Sequence, residues 1–306
     1  MHQHRVCAGV VAHNPKSVEL LSLVETLLDS TDSVVVVDNN SAYCHYLQSL
    51  ESQPDITVIR NSENCGVSGG INQIIAHARD LGAKFVVAFD QDTKITADLI
   101  PMLASHLEKL LESGEPVAAI GPSVVDDYTN QTMPFVRFKL PFNIRYSRET
   151  LPQDEQQVEC DFLISSGCLM SVQALNDIGA MNEELFIDNV DLEWCFRARQ
   201  KRYKIYGDFT AVIRQQIGVA FTRIPFTKAV VRYHDYTRNY FMTRNRLWLY
   251  RQRYANAAWV VHDLLRFSSK LLYLLIFKGN RLELLKSSLK GIIDSFGMKS
   301  YNGGNL

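Results

Sequence analysis

Asp90 and Asp92 close the run Lys84–Phe89, and in extended backbone residues two apart point to the same side, so both carboxylates can face one site. Two hard oxygen ligands at a strand end suit a Mg2+ or Mn2+ ion bridging a diphosphate, although acids there also serve as turn or helix-capping groups. A second acidic cluster, Asp188, Asp191 and Glu193, opens a stretch with helical character reaching Arg202. The positive end of the helix dipole favours ionised carboxylates, and an ionised carboxylate beside an alcohol can take its proton as general base. Spacing alone favours a plainer role, a helix N-terminus with Glu193 paired to Arg197 one turn on. The turn Glu63–Asn72 is glycine-rich and enters a helix, which lets backbone approach a ligand or simply makes a tight turn capped by Ser68. It is neither a dinucleotide-binding nor a P-loop fingerprint. In His234–Arg246, Arg238, Arg244 and Arg246 alternate with Tyr236, Tyr240 and Phe241. Arginines suit a diphosphate and aromatics a sugar face, and a helix packing its aromatics inward fits equally.

These residues need a frame. Val6–Ala12, Ser33–Val37, Ile56–Ile59 and Lys84–Phe89 read as strands, the branched runs suiting a parallel sheet buried on both faces. Ser17–Leu28 and Gly70–Leu81 read as intervening helices, the first with Val18, Leu21 and Leu28 on one face. Alternating strands and helices predict an α/β fold with a mostly parallel sheet and right-handed crossovers. Asn14, Asp38, Asn39, Asp90 and Asp92 then all follow strand ends, where ligands of open α/β sheets bind. Residues 126–159 read as irregular with short strands, and the chain beyond Tyr236 as helical and amphipathic. A boundary near residue 220 is expected, separating a catalytic domain (1–220) from a helical C-terminal region (221–306) that serves acceptor, membrane-surface or oligomer contacts.

The 306 residues are 46% hydrophobic with net charge -1, so global electrostatics give no case for nucleic acid. Between Phe196 and Arg253, however, fourteen Lys or Arg face two acids, Asp208 and Asp235, a strip suited to a phosphate-bearing ligand, an anionic membrane or plain solvation. Six cysteines without paired or zinc spacing read as reduced thiols, and the polar N-terminus does not read as a signal peptide, so a cytoplasmic location is expected. Segment Ala257–Phe296 sets Trp259 and several leucines among Lys and Arg, which fits helices lying on a membrane surface, packing on the core or forming a homodimer interface.

In order and spacing the motifs VVAHNP, VVVVDNNS, NSENCGVSGGIN, VAFDQD, ISSGCLM, FIDNVDLEWCFRA and RNYFMTRNRLWLY resemble the inverting GT-A glycosyltransferases of family 2, in particular bacterial rhamnosyltransferases. The resemblance covers roughly residues 6–250. It implies a Rossmann-like sheet flanked by helices with a helical C-terminal extension, a dTDP-sugar or UDP-sugar donor, a glycan or lipid-linked glycan acceptor, and a Mg2+ or Mn2+ cofactor. It further implies that Ala12, His13, Asn14, Asp38 and Asn64 hold base and ribose, with Asn39, Gly66, Gly70, Asn72, Gln91, Ser166, Gly167, Arg244 and Asn245 completing the nucleotide-sugar site. Asp90 would touch ribose or metal and Asp92 would be the main metal ligand. Asp191 would be the catalytic base, with Glu193 as the second acidic position and Asp188 as an alternative base. Two departures are visible. His13 stands where a Tyr is common, and Gln215 stands where many members carry a His near metal or diphosphate, a place His234 can fill. A nucleotidyltransferase would carry a glycine-rich basic loop at its start, which VCAGVVAHNPK lacks. A non-catalytic nucleotide-sugar-binding protein is the remaining rival.

Overall fold

Four apolar runs in the first ninety residues build half of one sheet. They are β1 (Val6–Ala12), β2 (Ser33–Asp38), β3 (Ile56–Arg60) and β4 (Phe85–Asp90), joined through α1 (Ser17–Leu28), α2 (Tyr46–Glu51) and α3 (Gly66–Asp80). All four are mutually parallel, in spatial order β3-β2-β1-β4. Val34 to Val37 of β2 are each 0% exposed, as the uninterrupted branched run requires for a strand covered on both faces. This computed structural model describes residues 6–43, 45–152, 155–216, 220–223, 230–233, 235–277, 281–299 and 301.

The second half of the sheet is mixed. After α4 (Leu99–Glu112), β5 (Val117–Asp126) is followed by β6 (Phe135–Arg137), β7 (Ile144–Tyr146), β8 (Gln157–Cys160) and β9 (Leu169–Ser171). Then come α5 (Val172–Ile178), α6 (Val190–Gln200) and β10 (Lys204–Gln215). The eight-stranded order is β3-β2-β1-β4-β9-β5-β10-β8. β9 inserts antiparallel between β4 and β5, β10 runs parallel to β5, and β8 closes the edge antiparallel. Beyond the short β9, the end of β4 is held by the segment preceding β9, with Ala88 bridged to Ser166 next to Asp90.

α1 buries Leu20, Leu23, Val24 and Leu27, spaced i, i+3, i+4 and i+7. That corrects the expected face at Val18, which is 82% exposed. The glycine-rich turn is itself the first turn of α3, which starts at Gly66 rather than Gly70. A Cβ at Gly70 would lie 2.6 Å from Val11 Cγ1, so the missing side chain is what lets α3 lie close against β1.

Beyond β10 come β11 (Ala220–Arg223) and β12 (Val230–Tyr233), an antiparallel pair, then α7 (Tyr236–Leu249), α8 (Ala257–Phe277) and α9 (Arg281–Gly297). Trp248, Leu249 and Trp259 are buried in the same cluster as Phe196, Ala118 and Met170, so one core continues past residue 220. Among the described residues no helix is long and apolar enough to cross a membrane.

Among the described residues, members of the basic strip pair with acids on different elements. Arg197 pairs with Glu193, Arg199 with Glu159 and Asp161, Lys201 with Asp177, Arg214 with Asp127 and Arg246 with Asp263. These are partners on many elements, and they do not form one phosphate-facing patch. The cysteines among the described residues are free, and burial pushes the thiols of Cys7 and Cys160 up to about 12, which leaves them inert packing groups.

Candidate active site

The ends of β1, β2 and β4 meet through side chains. The Asn39 N–H donates to the Ala12 carbonyl at 2.8 Å, joining the loops after β2 and β1. Gln91, just past β4, accepts the His13 N–H at 2.7 Å, and the His13 Nδ1 lies 2.8 Å from the Asn39 carbonyl. Asn14, at φ 49°, accepts from the Ala42 N–H through its side chain at 2.8 Å. His13, Asn14, Asn64 and Asp92 are exposed along this edge.

Several residues expected at the donor site are buried and bonded within the fold. Asn39 is 2% exposed, its Oδ1 accepting from Asn61 and Cys65 and its Nδ2 donating to the Gly66 carbonyl. Asn72 is buried too, donating to the Met181 carbonyl at 3.0 Å and to Glu183 at 2.7 Å, which ties α3 to the segment before α6. Gly66, at φ +76°, has no room for a side chain, since a Cβ would sit 2.4 Å from the Phe186 carbonyl oxygen. Ala12, Asp38, Ser166 and Gly167 are buried as well. Ser166 holds the strand end by accepting the Asp90 N–H at 3.1 Å and bonding Thr93 at 2.7 Å. Thr93 also donates to Gln215 at 3.4 Å, which places Gln215 beside the Asp90–Asp92 turn.

The carboxylates at 90, 188 and 191 belong to one electrostatic neighbourhood, which Asp92 touches through Asp90. Burial, and then the Asp92 charge, push Asp90 up to about 6, while Arg238 opposes the rise. Burial likewise pushes Asp191 up to about 6, against the Leu192 and Ser165 N–H groups and with help from Asp188 and Asp90. Asp191 accepts from those two N–H groups at 2.8 and 3.4 Å. The Arg238 guanidinium forks onto both oxygens of Asp188 at 3.0 Å each. Arg238 therefore sits between the acid of β4 and the acids leading into α6. The sequence puts it only among the basic and aromatic residues of its helix, because nothing in the spacing tells which arginine of such a helix points at an acid.

The segment carrying these acids is strained. Phe186, Asp188 and Asn189 have φ of 61°, 64° and 62°, which costs non-glycine residues free energy and needs outside support. α7 supplies it. Asn245, 0% exposed, donates to the carbonyls of Leu185, Ile187 and Asp188 at 2.7, 2.7 and 3.0 Å. Arg244 donates to the Glu184 carbonyl at 2.5 Å, and Phe241 stacks on Phe186 at 4.8 Å. Both residues of the expected Arg-Asn pair thus grip the acid-bearing loop. Asn245→Ala is expected to lower turnover at least tenfold with little change in donor affinity and to lower stability by about 2 kcal/mol, since buried carbonyls lose their donor. Single-turnover rates and melting curves check both.

Glu193 makes the pair with Arg197 that its spacing suggested. It is 0% exposed and faces the core, accepting from Arg197 at 2.7 and 2.9 Å and from the Tyr254 hydroxyl at 2.7 Å. Two residues on from Asp191, about 200° round the helix, a side chain meets the opposite surroundings. His234 lies outside the described residues.

A divalent cation is tested by what surrounds the Asp90–Asp92 turn. Among the described residues no group of three or more His, Cys, Asp or Glu could hold a metal ion. Two carboxylates that repel each other at a strand end do fit a cation whose remaining ligands are phosphate oxygens and water, as Mg2+ usually takes with nucleotides.

Comparison with known proteins gives the same setting. Residues 7–179 match the family model "Glycosyl transferase family 2". The chain is 24% identical over 98% of its length, and 97% of the relative's, to "dTDP-rhamnosyl transferase RfbF" of Shigella flexneri. It is 26% identical, over 64% of its length and 63% of the relative's, to "Low-salt glycan biosynthesis hexosyltransferase Agl10" of Haloferax volcanii. Among solved structures it resembles GalNAc-T7 with UDP, GalNAc and Mn2+ (TM-score 0.56, 12% identity, 71% of this chain, 44% of that one). It also resembles S. aureus TarS (TM-score 0.52, 14% identity, 96% of this chain, 49% of that one). The chain spans under half the length of these two solved chains, and the likeness to them is one of fold.

Proposed function

The chain belongs to glycosyl transferase family 2, and from that premise we propose that it is an inverting enzyme that moves L-rhamnose from dTDP-L-rhamnose to a hydroxyl of a saccharide or lipid-linked glycan, in bacterial cell-surface polysaccharide synthesis. The observation that carries this reading is that Asp90 at the end of β4 shares the charge of Asp191 and of Arg238, which is itself bonded to Asp188. His13, Asn14 and Asn64, exposed along the edge of β1 and β3, are suited to the nucleotide. Asp191 accepts the proton of the acceptor hydroxyl, whose oxygen attacks the anomeric carbon from the face opposite the departing diphosphate. One displacement inverts that centre, so a β-linked donor gives an α-rhamnoside. Asp92, with Asp90, would hold Mg2+ or Mn2+, which when bound neutralises charge on the departing diphosphate. Arg238 occupies both oxygens of Asp188, so that Asp191 is the acid left to take a proton. A cytoplasmic site of action follows from a nucleotide-sugar donor.

The near full-length likeness to a dTDP-rhamnosyl transferase favours the rhamnose donor, and the hexosyltransferase likeness favours another hexose. A thermal-shift screen decides between them. With Mg2+ or Mn2+ present, dTDP-rhamnose at a hundred times its Kd is expected to stabilise the protein by about 2.7 kcal/mol, and chelator to remove most of that gain. Stronger stabilisation by UDP-sugars would move the assignment to another donor, and binding without turnover on any acceptor would favour a nucleotide-sugar-binding protein.

A further inference from the structure

α9 has two faces of opposite kind. Toward α7 it presents Leu284, Ser288, Gly291 and Ser295, all buried, at spacings of four, three and four. Small residues let the helices approach closely: a Cβ at Gly291 would lie 2.8 Å from the Tyr240 carbonyl oxygen. Side-chain bonds fix the rotation, with Asn239 donating to Ser287 and Ser288 at 2.9 and 3.0 Å and Tyr240 to Asp294 at 2.7 Å. α9 therefore cannot roll to hide its outer face. That face carries Leu282, Leu285, Leu289, Ile293 and Phe296, exposed by 72, 40, 48, 69 and 72%. Their spacings of three, four, four and three draw one stripe along the helix. Outward stripes of large apolar residues are costly in water and mark a surface with a partner. α8 repeats the pattern with Val261, Leu265, Leu272 and Ile276 exposed.

We infer that α9 docks this stripe on the anionic surface of a lipid bilayer, lying in the interface plane. Lys286 and Lys290 stand four residues apart on the flank of the stripe, both exposed. The Lys286 ion pair with Glu283 is a solvent-exposed one, worth little against an anionic surface. The side of the helix away from the stripe makes the α7 contact, so apolar residues, lysines and buried face divide the circumference as an interfacial helix requires. A second copy of the chain is the poorer occupant. Two-fold pairing of the same stripe would bring the lysine flanks of both copies to one interface, whereas lipid phosphates meet them with opposite charge. The surface lies on helices distinct from the strand ends that hold the site, and docking requires neither donor nor acceptor, so its failure and that of the proposed transfer are separable.

The test is co-sedimentation of the full chain with vesicles of phosphatidylglycerol and phosphatidylcholine, beside sedimentation velocity without lipid. Wild type is expected to bind, and more weakly at high salt. Lys286→Gln with Lys290→Gln is expected to weaken partitioning about thirtyfold, at about fivefold per lysine. Ile293→Gln with Phe296→Gln is expected to weaken it at least about tenfold. Both pairs should keep the wild-type rate on a water-soluble acceptor and remain folded, each losing only one surface ring contact, Lys290 over Tyr240 or Arg251 over Phe296. Failure of wild type to sediment overturns the inference, as does undiminished binding by the Ile293→Gln, Phe296→Gln pair. A dimer in solution that this pair breaks into monomers assigns the stripe to a second copy instead.

Discussion

Asp191→Asn is expected to lower the transfer rate about 10²- to 10⁴-fold, the usual worth of a positioned general base, while donor affinity stays within a few-fold of wild type. It should also make the protein more stable at pH 7.5. Burial, against two N–H groups and beside Asp188 and Asp90, pushes the folded Asp191 up to about 6, above its unfolded value of about 3.9. A folded state that holds its proton more tightly gains most below the unfolded value and loses that gain as pH rises through about 6. At pH 7.5 the ionised carboxylate is therefore a cost that Asn lacks, on the order of 1–3 kcal/mol, while Asn still accepts from the same N–H groups. The same displacement sets the pH–rate profile. With a base required in its ionised form, kcat/KM should rise with pH through about 6 and level off above it. Asp90 is pushed to the same range and the two charges sense each other, so the rising limb belongs to the pair. Stopped assays with the variant and wild type across pH 5–8, beside melting curves, read all three effects. A variant within tenfold of wild-type turnover would pass the base role to Asp188.

What was legible in the sequence followed from periodicity and strand ends. The branched run of β2 and the apolar run of β4 can only be buried strands, so the parallel half of the sheet and the place of Asp90 at its rim came directly from residue type. The second half did not. β9 is three residues long and antiparallel between two long strands, and nothing local in Leu169–Ser171 tells a short inserted strand from a loop. Of the expected face of α1, Leu21 and Leu28 pack at the margin of the core, while Val18, apolar but near the helix start, points to solvent. Polar residues in the glycine-rich and Arg-Asn motifs could be placed near a site, but not assigned a task. Asn39, Asn72 and Asn245 spend their donors on carbonyls brought near only by folding, Gly66 among them for Asn39 and Met181 for Asn72. An amide that binds a ligand and one that binds a loop look alike in one dimension, and only burial separates them.

Glu193→Ala shows the same separation in energetic form. The expected result is a loss of about 3–5 kcal/mol of stability, the usual consequence of stranding one partner of a buried ion pair. Among the described residues Glu193 is the only carboxylate bonded to Arg197, whose own exposure is 5% and whose remaining donors go to the carbonyls of Ile178, Gly179 and Ala180. Tyr301 lies over the guanidinium at 4.6 Å, so no water reaches it to replace the lost acid. At about 2–4 °C per kcal/mol, the melting temperature should fall by roughly 10 °C or more. A fall in activity would follow from unfolding alone, so the single variant does not distinguish a structural acid from a catalytic one. The pair Glu193→Leu with Arg197→Met does. Replacing both buried charges by apolar groups of similar volume is often neutral or stabilising, because neither ion is then left without its partner. If Glu193 only joins α6 to the core, the pair should melt above Glu193→Ala by several degrees and recover turnover to within about tenfold of wild type. If Glu193 takes part in the chemistry, stability returns and turnover does not. The geometry favours the first outcome, because both Glu193 oxygens are occupied by Arg197 and Tyr254 on the side of the helix away from Asp191 and the β4 acids.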